Sequence, residues 1–273
     1  MAATTNTSGA IAAAAQRSPS EAKEAKKSPS NIMRGILDSE ATKKLLRDSL
    51  KENAGAFSAS IIDLYNSDKY LQTCDPRQVF AECLKAVSLK LPINKQLGFA
   101  YVIAYGGVPQ FQLGYKGMVQ LCMRTGAYRY INAGAVYEGE YRGEDRLTGE
   151  IDIGGERISD KIIGYFAYIE TINGFKKALY WSREKIIAHA EKFSKSYKQS
   201  GSAWKSDFDA MATKTVLRNL LSHYGVMSVE MANALTAEEN AVAADGMAGT
   251  PDEIDAEPVI ETPAPDDYPF AET

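Results

Sequence analysis

The sequence predicts an α+β fold, in which a small antiparallel sheet with β-hairpins packs against several helices and is flanked by disordered termini. Two observations predict the sheet. Apolar residues alternate on both sides of a glycine-rich turn within residues 97–126, and two further β-rich runs flank Asn173 and Gly174. The third observation is that apolar residues recur at helical spacing before and after these hairpins. The sequence shows no internal repeat and no long heptad run, so neither a solenoid nor a coiled coil is expected.

Composition divides the 273 residues into three parts. Residues 1–30 are rich in Ala, Ser, Thr and Lys, which predicts a disordered N-terminal segment. Residues 31–235 form the core. Residues 236–273 contain eleven Asp or Glu and no Lys or Arg, so we expect an acidic and largely disordered tail. The formal net charge of −4 therefore conceals a net charge of +7 over residues 1–235.

Two helices are predicted before the first hairpin. An apolar stripe from Leu46 to Tyr65 indicates a long helix that is broken or weakened near Gly55. Asp75 and Pro76 are typical of an N-cap and a first helical residue, and they introduce a second amphipathic helix. Both helices are expected to serve as scaffold.

The central segment, residues 97–126, changes from strand-like to helical spacing. Residues 98–113 suit two strands that are joined by a turn at 106–109. A short helix follows, and Gly126 is a plausible stop for it. A strand pair therefore leads directly into a helix.

The second half of the core is predicted to contain a strand, a long loop, a hairpin and two helices. Asn173 and Gly174 are the residues best able to take the positive φ values of a two-residue hairpin turn. Ser182 can cap the helix that follows, and Gly225 can stop the last one. In chain order we expect a strand at 131–137, a loop or long hairpin end at 138–161, strands at 162–172 and 175–181, and a final helix at 208–224.

Several kinds of chemistry lack support in the sequence. No GxxxxGK[ST] sequence occurs, so ATP-driven chemistry is not expected. Cys74, Cys83 and Cys122 have no paired spacing, and neither a metal nor another cofactor is predicted. Because no run suits a signal peptide or a membrane span, we expect a cytoplasmic protein. Glu138 and Glu140 leave a metal-dependent nuclease as a minor alternative.

Polar side chains of the central segment suit the binding of a nucleic acid. Gln110 and Gln112 lie on one face of their strand, and Tyr115, Lys116 and Arg124 follow closely. Planar amides, an aromatic ring and cations are groups that hold a nucleic-acid backbone and its bases. The alternative is the ordinary polar face of an amphipathic hairpin.

Residues 192–205 have the composition of a mobile basic loop. Serines and a glycine interrupt any apolar period, while Lys195, Lys198 and Lys205 project charge near Trp204. Such a loop could close over a bound strand. The alternative is a solvated linker whose aromatic residues anchor it to the core.

The last predicted helix carries cations on one face. Lys214 and Arg218 are four residues apart, and Thr215 and Asn219 adjoin them. Cations spaced by one helical turn suit successive phosphates of a single strand, with the hydroxyl and the amide as neutral donors. The alternative is a solvent-exposed helix face.

Five long motifs occur along the core in the order LPINKQLGFAYVIAYGG, QFQLGYKGMVQLCMRTG, INAGAVYEGE, YWSREKI and MATKTVLRNLL. Together they resemble the motifs of the RecT/Redβ family of phage single-strand annealing proteins. The resemblance extends over roughly residues 75–235, and the termini share only their general character with the family.

The resemblance implies a protein that anneals complementary DNA strands without ATP, does not act as an enzyme, and assembles into rings or helical filaments. Single-stranded DNA and an annealed duplex intermediate are the implied ligands, and host single-strand binding protein and a phage exonuclease are the implied partners. The resemblance adds Lys95 to the residues expected at the DNA, and Gly114 and Gly117 are expected to let a sugar-phosphate backbone approach the main chain. In total, the predicted DNA-binding residues are Lys95, Gln110, Gln112, Tyr115, Lys116, Arg124, Lys195, Lys198, Trp204, Lys205, Lys214, Thr215, Arg218 and Asn219.

Two questions stay open at the level of sequence. A passive structural oligomer would bind single strands without pairing them, and it is the main alternative to an annealing protein. The acidic tail could compete with DNA for a basic groove or could keep the protein soluble. Its sequence at 266–270, DDYPF, is similar to the acidic tip of bacterial single-strand binding protein, although here three residues follow the Phe.

Overall fold

A computed structural model describes residues 28–194 and 196–243, and it confirms the predicted α+β class. Small antiparallel sheets and helices enclose one continuous hydrophobic core. The two segments predicted to be disordered lie outside the described residues, except for 28–30 and 236–243. Residues 28–30 form the cap and start of the first helix, and 236–243 belong to the last described helix. No helix in the described ranges is both long and apolar enough to cross a lipid bilayer.

Helices account for most of the regular structure in these ranges. Short 3₁₀ turns at Lys51–Asn53 and Leu71–Thr73 precede α3 and α4. The helices are α1 (Pro29–Asp38), α2 (Glu40–Leu50), α3 (Ala54–Ser67), α4 (Pro76–Ser88), α5 (Tyr115–Arg124), α6 (Arg183–Phe193), α7 (Ala203–Ser206), α8 (Phe208–Tyr224) and α9 (Val229–Ala243).

All the strand pairs are antiparallel. Strands β1 and β2 form one hairpin, β3, β6 and β7 form a sheet in that spatial order, and β4 pairs only with β5. The strands are β1 (Ala100–Tyr105), β2 (Val108–Leu113), β3 (Tyr128–Tyr137), β4 (Gly143–Glu144), β5 (Ile151–Asp152), β6 (Ile162–Thr171) and β7 (Lys176–Ser182).

The amino-terminal helices begin at capping side chains. Ser39 accepts a hydrogen bond from a backbone N–H of α2, and Asp75 accepts one from α4, as its position before a proline predicted. The predicted break near Gly55 is confirmed, because the first predicted helix is interrupted at Lys51–Asn53, where φ of Lys51 is +52°. Gly55 itself is the second residue of α3. Helix α1 precedes this region and was not predicted from the sequence.

The first hairpin turns at two glycines and is held at its outer edge by a carboxylate. Gly106 and Gly107 take φ values of +58° and +84°, the signs that a two-residue turn between twisted strands requires. Pro109, expected in the turn, instead lies in β2 opposite Ala104. The Glu82 carboxylate of α4 accepts the N–H of Phe111 at 2.7 Å, which fixes β2 against that helix.

The second hairpin has a longer connection than the sequence predicted. Of the two turn residues only Gly174 has positive φ, at +89°. The Thr171 N–H donates a hydrogen bond to the Phe175 carbonyl and closes the connection. The Gly174 N–H donates to the Thr171 carbonyl. The predicted two-residue turn at Asn173 and Gly174 is therefore wrong, since one glycine in the left-handed region is sufficient for this longer loop.

Helix α8 packs its apolar face on the three-stranded sheet. Val216, Leu217, Leu220 and Leu221 are fully buried, and the helix has the bounds that the sequence predicted. Beyond it, α9 continues across the predicted boundary between core and tail at residue 235. The first half of α9 is core structure, because its buried residues are Met231, Ala234 and Leu235.

Candidate nucleic-acid interface

An open cleft of about 1260 Å³ lies between the β1–β2 hairpin and α8. Pockets for small molecules usually enclose about 300–1,000 Å³, so this cleft is larger than a typical small-molecule site. Its lining also includes the start of α5, the end of α6 and the segment that joins α6 to α7. Nine of the fourteen side chains predicted at a nucleic acid line this one cleft.

The hairpin supplies a wall of tyrosine and glutamine side chains. Gln110 and Gln112 of β2 lie opposite Ile103 and Tyr101 of β1, and all four line the cleft. Tyr105 continues the row along β1, and its hydroxyl accepts a hydrogen bond of 2.9 Å from the Gln112 amide. The strand alternation places these side chains on one face, as the spacing of the glutamines predicted.

The start of α5 adds Tyr115 and Lys116 to the same wall. Tyr115 is half-buried, and this burial raises the pKa of its hydroxyl. The stem of Lys116 passes close to Gly98, which takes a φ of +74°. The chain therefore enters β1 beside the stem of Lys116, and Lys116 itself is exposed to solvent.

Gly114 and Gly117 have a structural role in this wall. A Cβ on Gly114 would lie 2.1 Å from the carbonyl oxygen of Gly98, and one on Gly117 would lie 2.1 Å from that of Phe99. These glycines therefore let α5 pack against the start of β1. The expectation that they make room for a sugar-phosphate backbone is wrong, because protein main chain already occupies that space.

Helix α8 forms the opposite wall. Lys214 and Arg218 lie about 6 Å apart along the helix axis, and Thr215 and Asn219 lie beside them on the cleft. Thr215 donates its hydroxyl hydrogen to the Met211 carbonyl at 2.8 Å, so it presents acceptor lone pairs to the cleft instead of the expected donor. Arg218 donates through Nη2 to the Leu235 carbonyl of α9 at 2.9 Å.

The described residues that line the cleft between α6 and α7 are uncharged. Ser196, Gln199 and Ser200 are among the lining residues, and Trp204 closes the segment from beneath. Trp204 is only 4% exposed and donates its indole N–H to Ser194 at 2.9 Å. Trp204 therefore anchors the segment to the core, which is the alternative that the sequence left open for its aromatic residues.

Four predicted cations point elsewhere, and one lies outside the described residues. Lys95 forms an ion pair of 2.6 Å with Asp68, and Lys205 lies over the ring of Tyr197 at 5.0 Å. Lys198 is exposed but does not line the cleft. Arg124 donates to the carbonyls that follow α4, at 2.7 and 3.1 Å, and so secures a helix end. The unplaced residue is Lys195.

Positive charge prevails among the described residues that line the cleft. The three cations Lys116, Lys214 and Arg218 face one carboxylate in this set, that of Asp209. Asp209 accepts a hydrogen bond from the Tyr165 hydroxyl and lies 3.6 Å from Arg183, so nearby partners offset its charge.

His189 is a half-buried residue whose pKa is changed by its surroundings. It lines the cleft with its ring against Trp181 and Phe193, at centroid distances of 5.0 and 4.7 Å. Burial, and then the positive charges of Arg218, Lys185 and Lys192, lower its pKa to about 4. The imidazole is therefore neutral at physiological pH.

Sequence reasoning missed several aromatic residues of this site. Tyr101 and Tyr105 were assigned only to a strand, and Tyr70, which is 77% exposed, was assigned no role. The i, i+2, i+4 spacing of Tyr101, Ile103 and Tyr105 could have identified them, because it places all three on the face that carries the glutamines. Tyr70 follows α3 and reaches the cleft only through the tertiary fold.

The fold and the cleft together define a class: an α+β protein with an open cleft, cationic on its helical wall and aromatic on its hairpin wall. A profile of the RecT family matches residues 55–259, so the chain belongs to the RecT family. Membership in this family indicates binding and annealing of single-stranded DNA in recombination, and the family consists of annealing proteins and not of typical enzymes.

Two relatives extend the comparison. The chain is 48% identical over 208 residues to the uncharacterized protein YqaK of Bacillus subtilis strain 168, a match that covers 76% of this chain and 72% of YqaK. It is 26% identical over 181 residues to protein RecT of Escherichia coli K12, covering 62% of this chain and 65% of that protein.

Proposed function

We propose that this protein anneals complementary DNA strands without ATP, by holding one strand in the cleft between the β1–β2 hairpin and α8 while a second strand pairs with it. The observation that carries the proposal is the convergence of two distant parts of the chain on this cleft. Gln110, Gln112, Tyr115 and Lys116 face Lys214 and Arg218 across it. These side chains supply the amide, aromatic and cationic groups that a single strand requires.

Annealing needs no external energy source, since base pairing is itself downhill. Each stacked step of a duplex contributes about 1.4 kcal/mol. What the protein contributes is the removal of obstacles: cations reduce the repulsion between the phosphates of two strands, and an extended strand keeps its bases available to a partner. Sequence is read by the second strand and not by the protein.

We infer that the protein acts as a homo-oligomer on DNA, as a ring or a helical filament, in phage homologous recombination. Family membership supports this assembly, as does the size of the cleft, which can hold only a short length of strand in each subunit. Host single-strand binding protein and a phage exonuclease are the proposed partners. Light scattering with and without a long single strand tests the assembly.

A strand-annealing assay with two complementary fluorescent oligonucleotides tests the central proposal. We expect annealing faster than in DNA alone, with no nucleotide added and with oligonucleotide lengths unchanged. The binding of the first strand is measured separately by anisotropy. A protein that binds the first strand but anneals no faster than the protein-free control would be a passive single-strand binder, and the proposal would then be wrong.

A further inference from the structure

The two walls of the cleft differ in the charge of their side chains. On α8 the side chains over the cleft include Lys214 and Arg218, one helical turn apart. None of the six lining side chains of the hairpin strands is charged, and Lys116 of the same wall belongs to α5. The six are Tyr101, Ile103, Ala104, Tyr105, Gln110 and Gln112.

The register of the hairpin makes the uncharged face regular. Tyr101 pairs with Gln112 and Ile103 pairs with Gln110, so an apolar or aromatic side chain stands beside an amide at two successive positions. Tyr105 follows Ile103 on the same face, about 14 Å from Tyr101 along the strand. The face thus carries two parallel rows of side chains, one on β1 and one on β2.

A local contact fixes the position of the Tyr105 ring. Its hydroxyl accepts a hydrogen bond of 2.9 Å from Gln112. The Tyr101 hydroxyl lies near Gly98, 3.4 Å from the place that a Cβ of that residue would take. Both rings are half-buried, so they lose less freedom than exposed rings when a base stacks on them.

We propose that this hairpin face receives the bases of the bound strand, with Tyr101 and Tyr105 as stacking platforms, while Lys214 and Arg218 hold its phosphates. The assignment rests on the proposed function and names the surface that each part of the strand contacts. Stacking engages the faces of the bases and leaves their Watson–Crick edges free, which annealing requires. A neutral face also avoids desolvating a charge against each base.

Oligonucleotides with and without bases distinguish what each of the two walls contributes to binding. The probes are a normal single strand and an abasic strand of the same length, and anisotropy gives the affinity of each variant for both. Changing Tyr101 and Tyr105 to Leu should weaken binding of the normal strand by about fivefold or more per ring. Affinity for the abasic strand should change less than twofold. Lys214→Gln should weaken the binding of both strands by the same factor.

The Tyr101→Phe and Tyr105→Phe variants are the matched controls, because they keep the rings and remove only the hydroxyls. They should retain the preference of the wild type for the normal strand. Tyrosine-to-leucine variants that keep the full preference, or that lose affinity equally for both strands, would overturn the assignment of bases to the hairpin. The proposed function fails by a different result, namely that the wild type does not accelerate annealing.

Discussion

Lys214 and Arg218 share one face of α8 but differ in their structural roles. Arg218 ties α8 to α9 through the Leu235 carbonyl, so its replacement disturbs packing as well as charge. Lys214 lines the cleft at a half-buried position of α8. A change at Lys214 removes a charge of the cleft and leaves the Arg218 contact between α8 and α9 in place.

We expect Lys214→Gln to weaken the binding of single-stranded DNA irrespective of sequence. The slope of log affinity against log salt should fall by about 0.7, the value for one phosphate contact on a single strand. Lys198→Gln removes the same charge from an exposed position off the cleft and is the matched control. If both variants have the wild-type slope, Lys214 does not contact a phosphate.

His189 makes the stability of the protein depend on pH. Its pKa is lowered from an ordinary value of 6.5 to about 4, so between these values the unfolded chain binds a proton that the folded protein excludes. The contribution of this residue to stability should therefore fall as the pH drops from 6.5 to 4, by at most roughly 3 kcal/mol. Urea unfolding of wild type and His189→Gln across this range measures the effect. An equally steep pH dependence in the variant would assign the titration to another group.

At the scale of elements, the hairpin wall depends on two contacts, one between α4 and β2 and one between α5 and the start of β1. Glu82 of α4 accepts the N–H of Phe111 from behind β2, and Gly117 lets α5 pack against the Phe99 carbonyl. Both contacts join residues that are well separated along the chain. They hold the glutamines and tyrosines in place opposite α8.

Glu82→Ala should destabilise the protein by about 1–3 kcal/mol, because it leaves the Phe111 N–H without its carboxylate partner. Glu82→Gln keeps an acceptor at the same position and should cost less. Chemical unfolding of the two variants measures the difference. Equal losses would mean that charge, for example in the 2.8 Å ion pair with Lys85, is what matters at this position.

The glycines allow a second comparison at this scale. Gly117→Ala should destabilise the protein by at least about 1–3 kcal/mol, because the new Cβ would lie 2.1 Å from the Phe99 carbonyl oxygen. Gly35→Ala makes the same change inside α1, where no atom lies within 4 Å of the new Cβ, and should stabilise by about 0.5–1 kcal/mol. Opposite shifts in the unfolding midpoint are expected. A midpoint for Gly117→Ala at or above that of the wild type would contradict the packing argument.

At the scale of the whole molecule, the charge of the chain is divided between a basic core and an acidic tail. Truncation for binding studies should follow residue 243, because α9 ends at Ala243 and buries Met231 and Leu235. Residues 244–273 carry nine Asp or Glu and no Lys or Arg, so their removal changes the formal net charge from −4 to +5. The shortened chain keeps every described element.

We expect this truncation to tighten the binding of single-stranded DNA at low salt, because the tail no longer competes for the cations of the core. The gain should disappear as salt is raised, since screening weakens both the tail and the DNA. Anisotropy titrations of the two chains over a range of salt concentrations measure it. Unchanged affinity at low salt would indicate that the tail serves solubility instead.

The sequence by itself determined the longer elements of the core, except α1 and α9, and two of the residues that cap its helices. Asp75 and Ser182 cap helices, and α8 has its predicted bounds, because capping and periodicity depend on neighbours a few residues away. Local reasoning failed at the second turn, where Gly174 alone takes a positive φ and the connection is longer than two residues. Family motifs in the sequence were likewise sufficient to indicate the RecT family.

Only the tertiary structure decided which of the predicted side chains meet. Arg124 and Lys95 have the same charge and a similar reach to Lys214, yet they bind main-chain carbonyls and Asp68 far along the chain. Tyr101 and Tyr105 reach the cleft because pairing with β2 places them beside the glutamines. Long polar side chains select partners by distance in space, and that distance is set by the packing of the whole core.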